Sequence, residues 1–175
     1  MRWEERLLDL FDDLEQQAEG LALGERDAVV AELSRAEYAE VDLAARLHGS
    51  TGARLQVEVS GVGALDGSLN RAGDGWCVLD VAGQGWLVPL PAVLSFRGLG
   101  GGGAAEGARP VTARLGLGSV LRGMAEDRGE IVLHRLDGRV VRGLLGRVGR
   151  DFVEVGGPDR VEVVPFGVVA AVRLG

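Results

Sequence analysis

Lysine is absent from this chain: all 19 of its basic side chains are arginine. A P-loop, which needs a lysine to reach the phosphates, is thereby excluded. There is one cysteine, Cys77, so no internal disulfide framework is possible. With only His48 and His134 beside it, no His/Cys cluster remains to hold a structural zinc. Aromatic residues make up 5% of the chain, few for stacking nucleic-acid bases. No stretch approaches the roughly 18 consecutive apolar residues that a membrane-spanning helix requires. The first ten residues mix acids with apolar side chains instead of running basic then apolar, which reads against a secretory signal and makes the cytoplasm the expected compartment. Signatures of common catalytic sites are also missing, among them G-x-S-x-G, H-E-x-x-H and C-x-x-C. The expectation is therefore a protein that is not an enzyme, with no cofactor, no metal and no small-molecule substrate.

What is present is an uneven charge. The net charge is −7 over 175 residues. Residues 1–48 hold 13 acids against 5 arginines, whereas residues 109–175 hold 8 acids against 11 arginines. Within the acidic segment, Trp3, Leu7, Leu10, Phe11 and Leu14 recur at three-and-four spacing, with acids on the remaining faces. This is the pattern of an amphipathic helix, and these five residues form a candidate partner surface. Helical spacing resumes after Gly20 and Gly24 and runs to Gly49, as a hairpin of helices or one kinked helix.

Beyond Gly49 the pattern changes to short alternating apolar runs punctuated by Gly, Asp and Pro, an all-β signal. Residues 99–110, rich in Gly and Ala, read as a linker between two β segments at 49–98 and 111–175. When residues 54–98 are laid on 130–174 at a constant offset of 76, eight pairs are identical. They are Gly67 with Gly143, Leu69 with Leu145, Arg71 with Arg147, Gly73 with Gly149, Val88 with Val164, Pro89 with Pro165, Val93 with Val169 and Arg97 with Arg173. Apolar residues also coincide, as in Trp76 with Phe152 and Leu79 with Val155. Two copies of one unit is the simplest account. In the second copy, Ile131–Leu136 reads as a strand, Asp137-Gly138 as a tight turn, and Arg139–Val148 as a strand bent at Gly143. Short helices at Val41–His48 and Leu117–Ala125 are expected to open the two units.

The block from Val132 to Leu145, VLHRLDGRVVRGLL, resembles the first hairpin of the Sm-like (LSm) family. The resemblance implies an α+β fold: an N-terminal helical segment followed by two tandem five-stranded small β-barrels of Sm-like or SH3-like type, each preceded by a short helix. The closing V-P-[LF]-x-[AV]-V pattern is similar to PRC-type barrels, the runner-up, and the whole has a general likeness to tandem-barrel proteins of actinobacteria. Family RNA binding depends on an Asp/Asn pair and an Arg-Gly element. Gly149, Val153 and Phe166-Gly167 stand at those positions here, so the family's RNA pocket is not carried over.

The first functional reading is a scaffold that binds itself or a protein partner through the acidic helices and barrel edges. The alternative is an RNA- or DNA-associated regulator using Arg135, Arg139, Arg142, Arg147 and Arg150, which flank two successive turns and could meet phosphates. Acids interleave with these arginines, and the simpler reading of them is solvated charge on strand edges.

Overall fold

A computed structural model describes residues 30–36, 38–39, 41–100, 114–127, 129–157 and 160–174. The chain divides into two compact units, Met1–Val41 and Asp42–Gly175. Of the first, the described part is helix α1 (residues 30–36 and 38–39), whose described side chains are exposed. Trp3, Leu7, Leu10, Phe11 and Leu14 lie outside the described residues.

The second unit opens with α2 (Leu43–Gly49), where the Asp42 carboxylate accepts a hydrogen bond from the Ala45 amide and caps the first turn. Leu47 on its inner face is fully buried. Five strands follow: β1 (Arg54–Val59), β2 (Gly63–Gly73), β3 (Trp76–Val81), β4 (Gln84–Pro89) and, after a 3-10 turn at Leu90–Ala92, β5 (Val93–Arg97). Helix α3 (Leu117–Glu126) leads into five more: β6 (Glu130–Arg135), β7 (Val140–Val148), β8 (Phe152–Gly157), β9 (Arg160–Pro165) and, after a 3-10 turn at Phe166–Val168, β10 (Val169–Leu174).

Here the expectation of two tandem five-stranded barrels, each preceded by a short helix, is corrected. The ten strands form one continuous antiparallel sheet in the order β5-β1-β2-β3-β4-β10-β6-β7-β8-β9. The outer side of β4 pairs with β10, with Val172 opposite Leu87 and Arg173 opposite Trp86. Among the described residues β5 pairs only with β1 and β9 only with β8, so the sheet is open at both ends. A strand's backbone groups must find partners on both sides when buried, and β4 finds its second partner in the other half of the chain instead of in its own.

Corresponding elements and hydrogen bonds nevertheless recur at the spacing of 76. The Ser60 amide donates to the Ala92 carbonyl and the Leu136 amide to the Val168 carbonyl; Val62 donates to Val59 and Gly138 to Arg135. At Gly73 a side chain would strike the Trp76 ring, and at Gly149 the Phe152 ring. Midway along β7, Gly143 has φ +155°, and a Cβ there would come within 2.8 Å of the Gly156 Cα on β8. Only a glycine lets the two backbones approach so closely at the bend.

Two apolar clusters lie against the sheet. The first joins Leu47, Leu55, Val57, Leu69, Leu79 and Val88, and receives Ala170 and Ala171 from β10. The second joins Leu121, Ile131, Leu133, Val153, Val155 and Val164, and receives Trp76 and Leu87 from β3 and β4. Helix α3 closes the second cluster with Leu117, Val120, Leu121 and Met124 at three-and-four spacing. Each cluster is therefore completed by side chains from the other half, and the β4–β10 seam is packed as well as hydrogen-bonded.

Candidate functional site

Of the five candidate arginines, three are committed to carboxylates. Arg135, at the end of β6, bonds Asp137 at 3.0 Å and Glu162 on β9 at 3.2 Å. Arg147 on β7 grips Glu154 with two hydrogen bonds of 3.0 Å. That pairing holds the Arg147 guanidinium above its ordinary pKa. Arg139 is highly exposed, 3.9 Å from Asp137. Arg142 and Arg150 have no carboxylate within ion-pair distance among the described residues. Arg135 and Arg139 share Asp137, whereas Arg147 meets Glu154. Arg142 borders an open depression of about 540 Å³ shared with Val140, Val155, Arg160 and Glu162.

No group of three or more His, Cys, Asp or Glu capable of holding a metal occurs among the described residues. No described helix is long and apolar enough to cross a membrane. Cys77 is fully buried on β3, and desolvation raises its thiol pKa to about 12.

Two features escaped the linear pattern. One lies on the seam: the His134 ring on β6 stacks on Trp86 of β4 with centroids 5.2 Å apart, and the Arg173 guanidinium sits 5.7 Å from the Trp86 ring centre. Arg173 is held there by a 2.8 Å hydrogen bond that it donates to the side-chain Oε1 of Gln84. Burial, and then the neighbouring Arg173 and Arg142, push the His134 pKa below its ordinary value, and its Nε2 is buried without a hydrogen-bond partner. No sequence signal brings Trp86 and His134 together, because β4 and β6 meet only through β10.

The other feature is the pair of open edges. On β9, Val161 and Val163 are 56% and 57% exposed, and on β5 Leu94 is 67% exposed. The two valines share one face of β9, while Val164 on the other face is buried in the second cluster. The run Val161-Glu162-Val163-Val164 carried a trace of this, since it places apolar residues on both faces of one strand. An edge strand with exposed β-branched residues and unpaired backbone groups is a ready template for another strand.

No protein-family model matches the chain, and no curated protein matches its sequence.

Proposed function

We propose that this chain is a non-enzymatic interaction protein that binds a protein partner, itself or another, by extending its sheet at the open edges. The observation that carries the reading is the exposure of Leu94, Val161 and Val163 on strands with no second neighbour among the described residues. Addition of a strand there supplies backbone hydrogen bonds, and the exposed side chains supply specificity. The acidic segment with Trp3, Leu7, Leu10, Phe11 and Leu14 belongs to the same proposal as a second contact surface.

Duplication of one unit, and kinship with the Sm-like family, are further parts of it. The first is supported by elements and hydrogen bonds that recur at a spacing of 76. The second rests on the hairpin from Val132 to Leu145. Nucleic-acid association finds less support, because Arg135 and Arg147 are neutralised by their own acids.

The test is affinity capture in the native host with the wild-type chain and with Leu94→Asp and Val163→Asp. The expected result is a defined partner, or the chain itself, retained by the wild type and lost by an edge variant that keeps its circular dichroism. Retention unchanged by both variants would refute the reading.

A further inference from the structure

The depression beside Arg142 has counterpart positions in the first half of the chain, at the spacing of 76, and there they carry larger apolar side chains. Val141 and Val155 line it where the first half has Leu65 and Leu79, both buried in the first apolar cluster. Gly157 stands where the first half has Val81, and Glu162 where it has Trp86; Val81 and Trp86 pack against the same cluster. Four apolar side chains that close the first half are thus shortened, removed or replaced by a carboxylate in the second. The largest single loss is an indole ring.

While apolar bulk falls, positive charge rises. The first half has Asp66 and Gln84 where the second has Arg142 and Arg160 on the wall of the depression. Neither arginine has a carboxylate within ion-pair distance among the described residues. Glu162, the acid on the wall, already accepts a hydrogen bond of 3.2 Å from Arg135. A planar guanidinium meets a carboxylate with two parallel N–H···O bonds. Two such groups without acids, beside valines and a glycine, suit an anion that brings its own apolar body. At about 540 Å³ the space falls within the roughly 300–1,000 Å³ of small-molecule sites.

We infer that this depression binds a small aromatic carboxylate, its ring against Val141, Val155 and Gly157 and its carboxylate held by Arg142 and Arg160. The ring takes up space that Val81 and Trp86 fill in the first half. There the Trp86 ring already has a guanidinium, that of Arg173, 5.7 Å from its centre, so a flat ring beside an arginine is what the filled counterpart holds. Gly157 keeps the floor open, since a Cβ there would meet no atom within 4 Å. Binding here requires no strand added at either edge of the sheet, and it gives the second half a ligand that the first half, with its own side chains in place, has no room for.

The test is a titration of the full chain with indole-3-acetate followed by amide NMR shifts, with indole and acetate as separate probes that lack the charge or the ring. Indole-3-acetate is expected to move amides at 140–142, 155–157 and 160–162 saturably, with a Kd on the order of 1 mM, as the binding efficiency of a molecule this small gives. Indole and acetate are each expected to bind roughly tenfold more weakly or less. Arg142→Ala and Arg160→Ala, both at exposed positions, should each weaken indole-3-acetate by about tenfold. Gly157→Val, which puts the side chain of Val81 into open space, should abolish the shifts and leave the unfolding midpoint in place. Should that variant unfold, the two arginine variants decide. No saturable shift at ten times the expected Kd, or shifts centred elsewhere, overturns the site. Equal binding of acetate, an adventitious ion only, overturns it as well, as does an affinity untouched by all three variants. The edge reading is judged separately, by the capture experiment.

Discussion

Leu87 and Val163 occupy corresponding positions on β4 and β9, yet the first is 3% exposed and the second 57%. Truncating each to alanine therefore measures the seam directly. Leu87→Ala removes three carbons from the second apolar cluster, which at ~0.8 kcal/mol per buried methylene is about 2.4 kcal/mol of transfer free energy. The cavity left behind raises the expected loss to about 3 kcal/mol, inside the range of roughly 2–5 for buried Leu→Ala changes. For a chain of this size that lowers Tm by about 6–12 °C. Val163→Ala removes two carbons already in solvent and is expected to change stability by less than about 0.5 kcal/mol in the dilute, unassociated chain. Urea and thermal unfolding followed by circular dichroism measure both. A loss below about 1 kcal/mol for Leu87→Ala, or equal losses for the two, would refute the claim that packing across β4 and β10 joins the halves.

Other expectations follow from the same geometry. Burial, and then the neighbouring Arg173 and Arg142, disfavour the charged form of His134 in the folded state, so its pKa lies lower folded than unfolded. Stability is thus fully present above the usual histidine value near ~6.5 and declines as pH falls from there through the lowered folded pKa. Denaturant midpoints between neutral pH and pH ~5 should show the decline, and His134→Leu should flatten it; parallel curves for the two proteins would count against a role for His134. Cys77, with its thiol pKa at about 12 and its side chain buried, should resist a thiol reagent at pH ~8 in the native state and react fully in denaturant. Stoichiometric native labelling would contradict that. Gly143→Ala should cost about 1–3 kcal/mol, since its Cβ would lie 2.8 Å from the Gly156 Cα, and an unchanged unfolding midpoint would show that β7 and β8 separate more easily than their contact implies. Finally, the wild-type chain and one lacking residues 1–41 should both leave generic single-stranded RNA unshifted at physiological salt, because Arg135 and Arg147 are already paired; salt-sensitive binding by the truncated form would revive the arginines as a site.

Sequence alone determined the local grammar of the β region. Period-two apolar runs, Asp137-Gly138 and the prolines at Pro89 and Pro165 mark strands and turns through short-range sterics and hydrogen bonding. The acidic character of the first 48 residues was equally plain, being a matter of composition. The destination of each strand edge was not. Whether a five-strand segment closes on itself or continues into another depends on which distant backbone finds the outer side of β4, and no residue near β4 encodes β10. The same holds for the seam cluster of Trp86, His134 and Arg173, gathered from three strands that are adjacent only in the finished sheet. The arginines were legible as a set, but their neutralisation was not, because Glu162 and Glu154 reach Arg135 and Arg147 across strands. Pairing between strands remote in sequence is decided by the cooperative burial of both apolar clusters, and that is a property of the tertiary structure.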